Sequence, residues 1–238
     1  MALVSPSELH YYQSMSHSVQ VKICGLTRLE DALHAAECGA DYLGFILFPP
    51  SKRGITAEDV AKIVPELRKL DRCPKLVGVF VDETPETVLN TLNRCDLDLA
   101  QLHGHEVPSQ INDPNSILHG RAYKALRPQS LAEAEADAEW YIAEAPNLLP
   151  SILIDAYHPE LYGGTGELSD WEIGKAINLM TEGFMLAGGL SPDNVVQAIE
   201  EVLPFGVDVA SGTEASPGIK DPQLVEAFIS NAKSIRFK

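Results

Sequence analysis

The stretch that decides the fold is Val21–Phe48, VKICGLTRLEDALHAAECGADYLGFILF. A short apolar run ends at Cys24, a segment with apolar residues three and four positions apart follows, and a second apolar run begins at Tyr42. Both runs are nearly continuous in apolar character rather than alternating, which is typical of parallel strands that are buried on both faces. The stretch therefore predicts one strand–helix–strand unit of a parallel sheet.

The same unit recurs along the whole chain, at the spacing of roughly 20–30 residues that βα units need. Eight near-equal units favour a single (β/α)8 TIM barrel, of the α/β class, over an open doubly wound sheet. We expect one barrel domain over residues 20–238 and a loosely ordered N-terminal extension over residues 1–19. The predicted strands are Val21–Cys24, Tyr42–Phe48, Leu76–Val81, Leu99–His103, Ala122–Leu126, Ile152–Asp155, Phe184–Ala187 and Val207–Ala210.

Capping residues precede seven of the eight expected helices. Some form a capping box or a close variant of one, and others place a cap residue directly before a proline. The exception follows the fourth strand, where Pro108 and Pro114 predict a short or irregular helix. The predicted starts are Thr27 with Glu30, Thr56 with Asp59, Thr84-Pro85, Ser130 with Glu133, Ser169 with Glu172, Ser191-Pro192 and Asp221-Pro222.

Composition excludes several classes of function. The chain has 34 acidic and 18 basic residues, a formal net charge of -16, which argues against a nucleic-acid or anionic-membrane surface. No apolar run approaches the ~20 residues of a membrane span.

The four cysteines form no CxxC pair, so they favour reduced thiols in a cytoplasmic protein over a zinc site or disulfides. His105, His119 and His158 lack metal-ligand spacing, and we expect no metal.

Two polar groups end strands of the predicted barrel, Cys24 in the first and Asp155 in the sixth. The carboxyl ends of barrel strands converge on one mouth, so the thiol and the carboxyl are expected to face each other there as an acid/base pair. A nearby helix start and Lys22, on the same face of the strand, favour a thiolate. The alternatives are an inert buried cysteine and a carboxylate that caps the next loop.

Glycine-containing pairs of residues follow the seventh and eighth strands, Gly188-Gly189 in the first loop and Ser211-Gly212 in the second. Loops at these positions of a barrel often bind phosphate through backbone amides. The two pairs together predict a phosphate site, although each alone would also be typical of a simple turn.

Three other loops carry candidate binding groups. Arg53 follows the second strand, where it could pair with a substrate carboxylate or remain an ordinary surface arginine. Gln101 and His103 share a face of the fourth strand and are expected to line the mouth, with His103 as a second base being the less favoured alternative. The segment 163–166, Gly-Gly-Thr-Gly, predicts either a mobile lid or a plain flexible loop.

From Val21 to Phe237 the chain resembles the phosphoribosylanthranilate isomerase family. The motifs that carry the resemblance are Lys22–Thr27, Phe48–Arg53, Gly78–Val81, Gln101–Gly104, Gly163–Gly166 with Trp171, Ala187–Leu190, and Ser211-Gly212 with Pro217–Asp221. The N-terminal extension is not part of the family pattern, and Ala210 stands where the family often carries serine. No proposed catalytic group is missing.

The resemblance implies an Amadori rearrangement of N-(5-phosphoribosyl)anthranilate to the 1-deoxyribulose 5-phosphate, without metal or other cofactor. It assigns Asp155 as general acid and Cys24 as general base. Arg53 is assigned to the anthranilate carboxylate, and amides near Gly188, Gly189, Ser211 and Gly212 to the phosphate. The implied partner is a small phosphosugar, and the protein is expected to be a monomer or a homodimer.

Two rival functions remain open from the sequence. The histidine-pathway isomerase performs the same rearrangement, but that family uses aspartate where Cys24 stands and needs a second phosphate site. A catalytically inactive barrel that binds phosphosugars or proteins is the other rival, and intact Cys24 and Asp155 argue against it.

Overall fold

Eight parallel strands close into a barrel in the order β1 to β8, so the predicted (β/α)8 TIM barrel is confirmed. The computed structural model describes residues 19–143, 150–155 and 171–235. The barrel strands are β1 Gln20–Cys24, β2 Tyr42–Ile46, β3 Lys75–Phe80, β4 Leu99–Leu102, β5 Ala122–Leu126, β6 Ile152–Asp155, β7 Phe184–Ala187 and β8 Gly206–Val209. Residues 1–18 of the predicted extension lie outside the described residues, whereas Val19 is already buried.

Helices follow the strands on the outside of the barrel. They are α1 Leu29–Glu37, α2 Ala57–Leu67, α3 Pro85–Arg94, α4 Ser109–Asn112, α5 Leu131–Tyr141, α6 Trp171–Asn178, α7 Val195–Val202 and α8 Pro222–Ser234. The helix after the fourth strand, α4, has only four residues, as the two prolines predict. Beyond β8, a 3-10 turn over Ser211–Thr213 leads into an antiparallel hairpin of β9 Glu214–Ser216 and β10 Ile219–Lys220.

Several predicted helix starts are confirmed by the cap hydrogen bonds themselves. The side chains of Thr56, Thr84 and Ser130 accept from the backbone N–H three residues on, and Asp221 accepts from Gln223 and Leu224. Each bond satisfies an amide that the first helical turn leaves without a partner. Ser169 lies outside the described residues.

Two predicted starts are wrong. α1 begins at Leu29 after Arg28, which makes no side-chain cap bond, because the Thr27 hydroxyl donates instead to the Gly218 carbonyl. Ser191 accepts from the N–H of Asp193 in a preceding turn, and α7 starts only at Val195. The predicted second strand also ran two residues too far, since β2 ends at Ile46.

β1 and β8 close the barrel in parallel register, with Gln20 beside Gly206 and Ile23 beside Val209. Alternation along β1 turns Val21 and Ile23 to the surrounding helices and Lys22 and Cys24 to the barrel interior. Within the described residues, no helix is both long and apolar enough to cross a membrane.

Candidate active site

A cavity of about 770 Å³ opens at the carboxyl ends of the strands. The predicted site residues of the described chain all line it, and so do several that the sequence did not indicate. The predicted ones are Cys24, Arg53, Gln101, His103, Asp155, Gly188, Gly189, Ser211 and Gly212. The predicted lid, residues 163–166, lies outside the described residues. The structure therefore brings the thiol, the carboxyl and both glycine loops to one mouth.

Cys24 is a free, buried thiol, 5% exposed, at the end of β1. Burial raises its pKa, and the ammonium of Lys22 is the strongest opposing influence. Lys22 is itself fully buried, with Nζ 3.0 Å from Asp208 Oδ1. Burial is the largest single influence and lowers the pKa of Lys22, but Asp208, Cys24 and Tyr123 together outweigh it and raise the pKa, so the lysine is a cation.

Asp155 ends β6 and is partly buried. Its Oδ2 accepts a hydrogen bond of 3.0 Å from Arg127 Nε, and the same oxygen lies 4.0 Å from His103 Nε2. The Arg127 side chain is 68% exposed. Sequence analysis missed this arginine, although a charged residue directly after the fifth strand was the available signal.

A chain of contacts fixes the orientation of His103. Tyr123 Oη donates to Gln101 Oε1 at 3.0 Å, which leaves the Gln101 amide NH₂ facing His103 Nδ1 at 3.5 Å. This arrangement assigns the imidazole proton to Nε2, the nitrogen nearest Asp155. Burial, with the positive charges of Arg127 and Lys124, lowers the pKa of His103 to about 3. The imidazole is therefore neutral and, with so low a pKa, only a weak base, which favours the predicted wall role over a second base.

Arg53 extends from the loop after β2 into the cavity, but its guanidinium group is already paired with a carboxylate of the same chain. Arg53 Nε and Nη2 donate to the two oxygens of Glu214 at 2.8 Å each. Glu214 Oε1 also accepts from Gly218 N and lies 3.5 Å from Lys220 Nζ. Sequence analysis missed Glu214. A bidentate partner from the chain itself thus occupies two of the donors that we assigned to the substrate.

The two glycine loops pack directly against each other. A Cβ at Gly212 would collide with the Leu190 carbonyl oxygen, so only glycine allows this approach. Gly188 and Gly189 both have positive φ, 94° and 62°. Asn194 stabilises the loop after β7, because its side chain donates a hydrogen bond to the Gly189 carbonyl and accepts one from Ser191 N.

Within the described parts of the chain, no three His, Cys, Asp or Glu side chains are placed to hold a metal ion. A mouth that joins a buried thiol, a carboxyl, an arginine and two close backbone loops suits proton transfer on a small anionic molecule.

The profile of the N-(5'-phosphoribosyl)anthranilate (PRA) isomerase family matches residues 21–231. The chain belongs to this family. It is 44% identical over 220 residues to the N-(5'-phosphoribosyl)anthranilate isomerase of Geobacter sp. (strain M21), covering 91% of this chain and 98% of that protein. The isomerisation for which the family is named is therefore the activity of this chain, a step of tryptophan biosynthesis.

Solved structures agree with this assignment. The phosphoribosyl anthranilate isomerase of Thermotoga maritima is 40% identical, with a TM-score of 0.76, over 91% of this chain and 100% of that one. Another phosphoribosyl anthranilate isomerase was solved in complex with reduced 1-(o-carboxyphenylamino)-1-deoxyribulose 5-phosphate. That chain is 36% identical, with a TM-score of 0.72 and coverage of 91% and 100%.

Proposed function

We propose that the chain converts N-(5-phosphoribosyl)anthranilate to 1-(2-carboxyphenylamino)-1-deoxyribulose 5-phosphate with Asp155 as general acid and Cys24 as general base. The observation that supports these roles is that the two groups end β1 and β6 and line the same cavity. The two proton transfers occur at different atoms of one sugar, so acid and base must contact it from different sides.

In the first step, Asp155 protonates the furanose ring oxygen while the C1–O bond breaks, and the nitrogen lone pair forms an iminium. This step requires a protonated carboxyl, and the exposed Arg127 side chain is free to leave Asp155 when substrate enters. In the second step, the Cys24 thiolate removes the C2 proton, and the electron pair of the C–H bond neutralises the iminium to give an enolamine. The enolamine then tautomerises to the ketone.

The binding groups follow from the same cavity. The two glycine loops present backbone at the position where barrels hold phosphate, and Arg53 faces the same space for the anthranilate carboxylate. Because Glu214 already uses Nε and Nη2, we propose that the substrate carboxylate contacts the remaining nitrogen, Nη1. We further propose a cytoplasmic enzyme without metal or cofactor, either monomeric or homodimeric. Size-exclusion chromatography with light scattering decides the oligomeric state.

The roles of Cys24 and Asp155 are tested by following the fluorescence decay of the aminoaldose, generated in situ, with chelator present. Cys24→Ala and Asp155→Asn should each lower kcat by at least ~100-fold with an unchanged circular dichroism spectrum, because each removes one proton transfer. Cys38→Ala is the matched control, since this half-buried thiol does not line the cavity, and should leave kcat unchanged.

Each alternative gives a different result in the same assay. Near wild-type turnover in either variant would remove that residue from the mechanism. No decay with folded wild type would leave an inactive binding barrel, and turnover of the histidine-pathway aminoaldose by the wild type would identify a dual isomerase.

A further inference from the structure

A buried ion pair lies in the barrel interior next to Cys24. Lys22 is 0% exposed and pairs with Asp208, which is 8% exposed, at 3.0 Å. Removing two charges from water costs several kcal/mol per ion, and apolar residues of similar volume are often as stabilising. Barrel stability alone therefore does not account for this pair.

The Lys22 ammonium and the Cys24 sulfur border the same small space. Cys24 lies beside Gly44 of β2 in the parallel register. A Cβ built at Gly44 would lie 2.7 Å from Cys24 Sγ and 3.1 Å from Lys22 Nζ. The absence of a side chain at residue 44 thus leaves room that the sulfur and the ammonium share.

Charged and titratable groups face the thiol from five elements. They are Lys22 on β1, Arg53 after β2, Tyr123 on β5, Asp208 on β8 and Lys220 on β10. Of the three cations, Arg53 and Lys220 are engaged by Glu214. Lys22 is the cation that acts most strongly on the sulfur against burial.

We infer that Lys22, held in place by Asp208, is a positioning residue that stabilises the thiolate form of Cys24 against its burial within the closed end of the mouth. This inference rests on the proposed role of Cys24 as the base. Once the thiolate has taken the C2 proton and is neutral, Asp208 still pairs with the ammonium. Lys22 is therefore never left as an unpaired buried cation at either stage of the reaction.

The test is the alkylation rate of Cys24 by iodoacetamide in the full-length protein, followed across pH by mass spectrometry of the Cys24 peptide. Only the thiolate reacts, so the rate reports the thiolate fraction. Lys22→Met should shift the midpoint of the pH profile upward and slow alkylation at neutral pH about tenfold or more. This measurement does not depend on turnover.

Two further variants keep the result decisive. Lys22→Met/Asp208→Leu removes both charges and should shift the profile in the same direction by a smaller amount, because Asp208 opposes Lys22 at the sulfur and Lys22 acts more strongly. This double variant provides the test if the single variant does not fold. The matched control is Lys124→Met/Glu106→Gln, which removes another buried pair with an N···O distance of 2.6 Å. It should leave the Cys24 profile unchanged.

An unchanged Cys24 profile in a folded Lys22 variant would overturn the inference, and so would an equal shift in the Lys124 control. Slower alkylation with unchanged kcat would support the effect of Lys22 on the sulfur and contradict Cys24 as the base.

Discussion

At the scale of single residues, the barrel interior gives different charge states to two largely buried groups, a neutral His103 and a cationic Lys22. His103 is 15% exposed in its side chain, and its Nε2 has no hydrogen-bond partner among the described residues. Lys22 is buried as well, but Asp208 compensates its charge. Burial makes the imidazole neutral, whereas the buried carboxylate keeps the lysine charged, because the cost of burying charge depends on a partner.

The neutral state of His103 predicts a pH dependence of stability. Its pKa is about 3 in the native protein, below the ordinary 6.5 of the unfolded chain. Between these values the unfolded chain binds a proton that the native protein does not, so stability falls as pH falls through this window. Between about pH 6 and about pH 4, the wild type should lose about 1.4 kcal/mol more per pH unit than His103→Gln.

Urea unfolding of both proteins at several pH values measures this difference. Parallel stability curves for wild type and His103→Gln would show that His103 is protonated in the native protein. The difference between the two proteins isolates the histidine, because the carboxyl groups contribute to both curves.

At the scale of elements, the hairpin of β9 and β10 reaches the site from outside the barrel. Its first residue, Glu214, has a side chain that is 4% exposed and that forms an ion pair with Arg53. The Gly218 carbonyl between the two strands accepts a hydrogen bond from the Thr27 hydroxyl. The second contact explains why the predicted capping box of α1 does not form. A partner 191 residues away competes successfully for the threonine.

Glu214→Gln should raise KM about tenfold with kcat changed by less than about threefold, the equivalent of about 1.4 kcal/mol of binding. The reason is that Arg53 loses its anchor and must be ordered by the substrate itself. Steady-state kinetics of the aminoaldose decay provide the measurement. Glu30→Gln is the control, because this exposed carboxylate pairs with Arg28 outside the cavity. A lower KM for Glu214→Gln would show that Glu214 competes with the substrate for the guanidinium.

At the scale of the whole molecule, the last helix completes the barrel. α8 packs on β1 and α1, so the end of the described chain covers the strand at its beginning. Phe228 of α8 is fully buried in the core, whereas Leu224 of the same helix is 37% exposed. Closure of the barrel therefore depends on contacts between segments that are far apart in sequence.

Phe228→Ala should lower the free energy of unfolding by about 3–5 kcal/mol, because it leaves a cavity in the core. Urea unfolding monitored by circular dichroism measures this change. Leu224→Ala is the matched control on the same helix and should cost less than about 1 kcal/mol, since most exposed sites contribute little. Equal losses for the two variants would mean that α8 is not a required part of the core.

The sequence by itself determined the eight βα units, the short helix after β4, most helix starts and the residues at the ends of β1 and β6. These features depend on local periodicity, on cap chemistry and on the rule that the strand ends of a barrel meet at one mouth. Only the tertiary structure decided three contacts of the site. Glu214 pairs with Arg53, and Arg127 donates to Asp155. The Thr27 hydroxyl donates to the Gly218 carbonyl instead of capping α1. The two residues of each contact lie 28 to 191 positions apart in the sequence. The sequence pattern indicates which strand or helix end each residue belongs to, but not which side chains meet there.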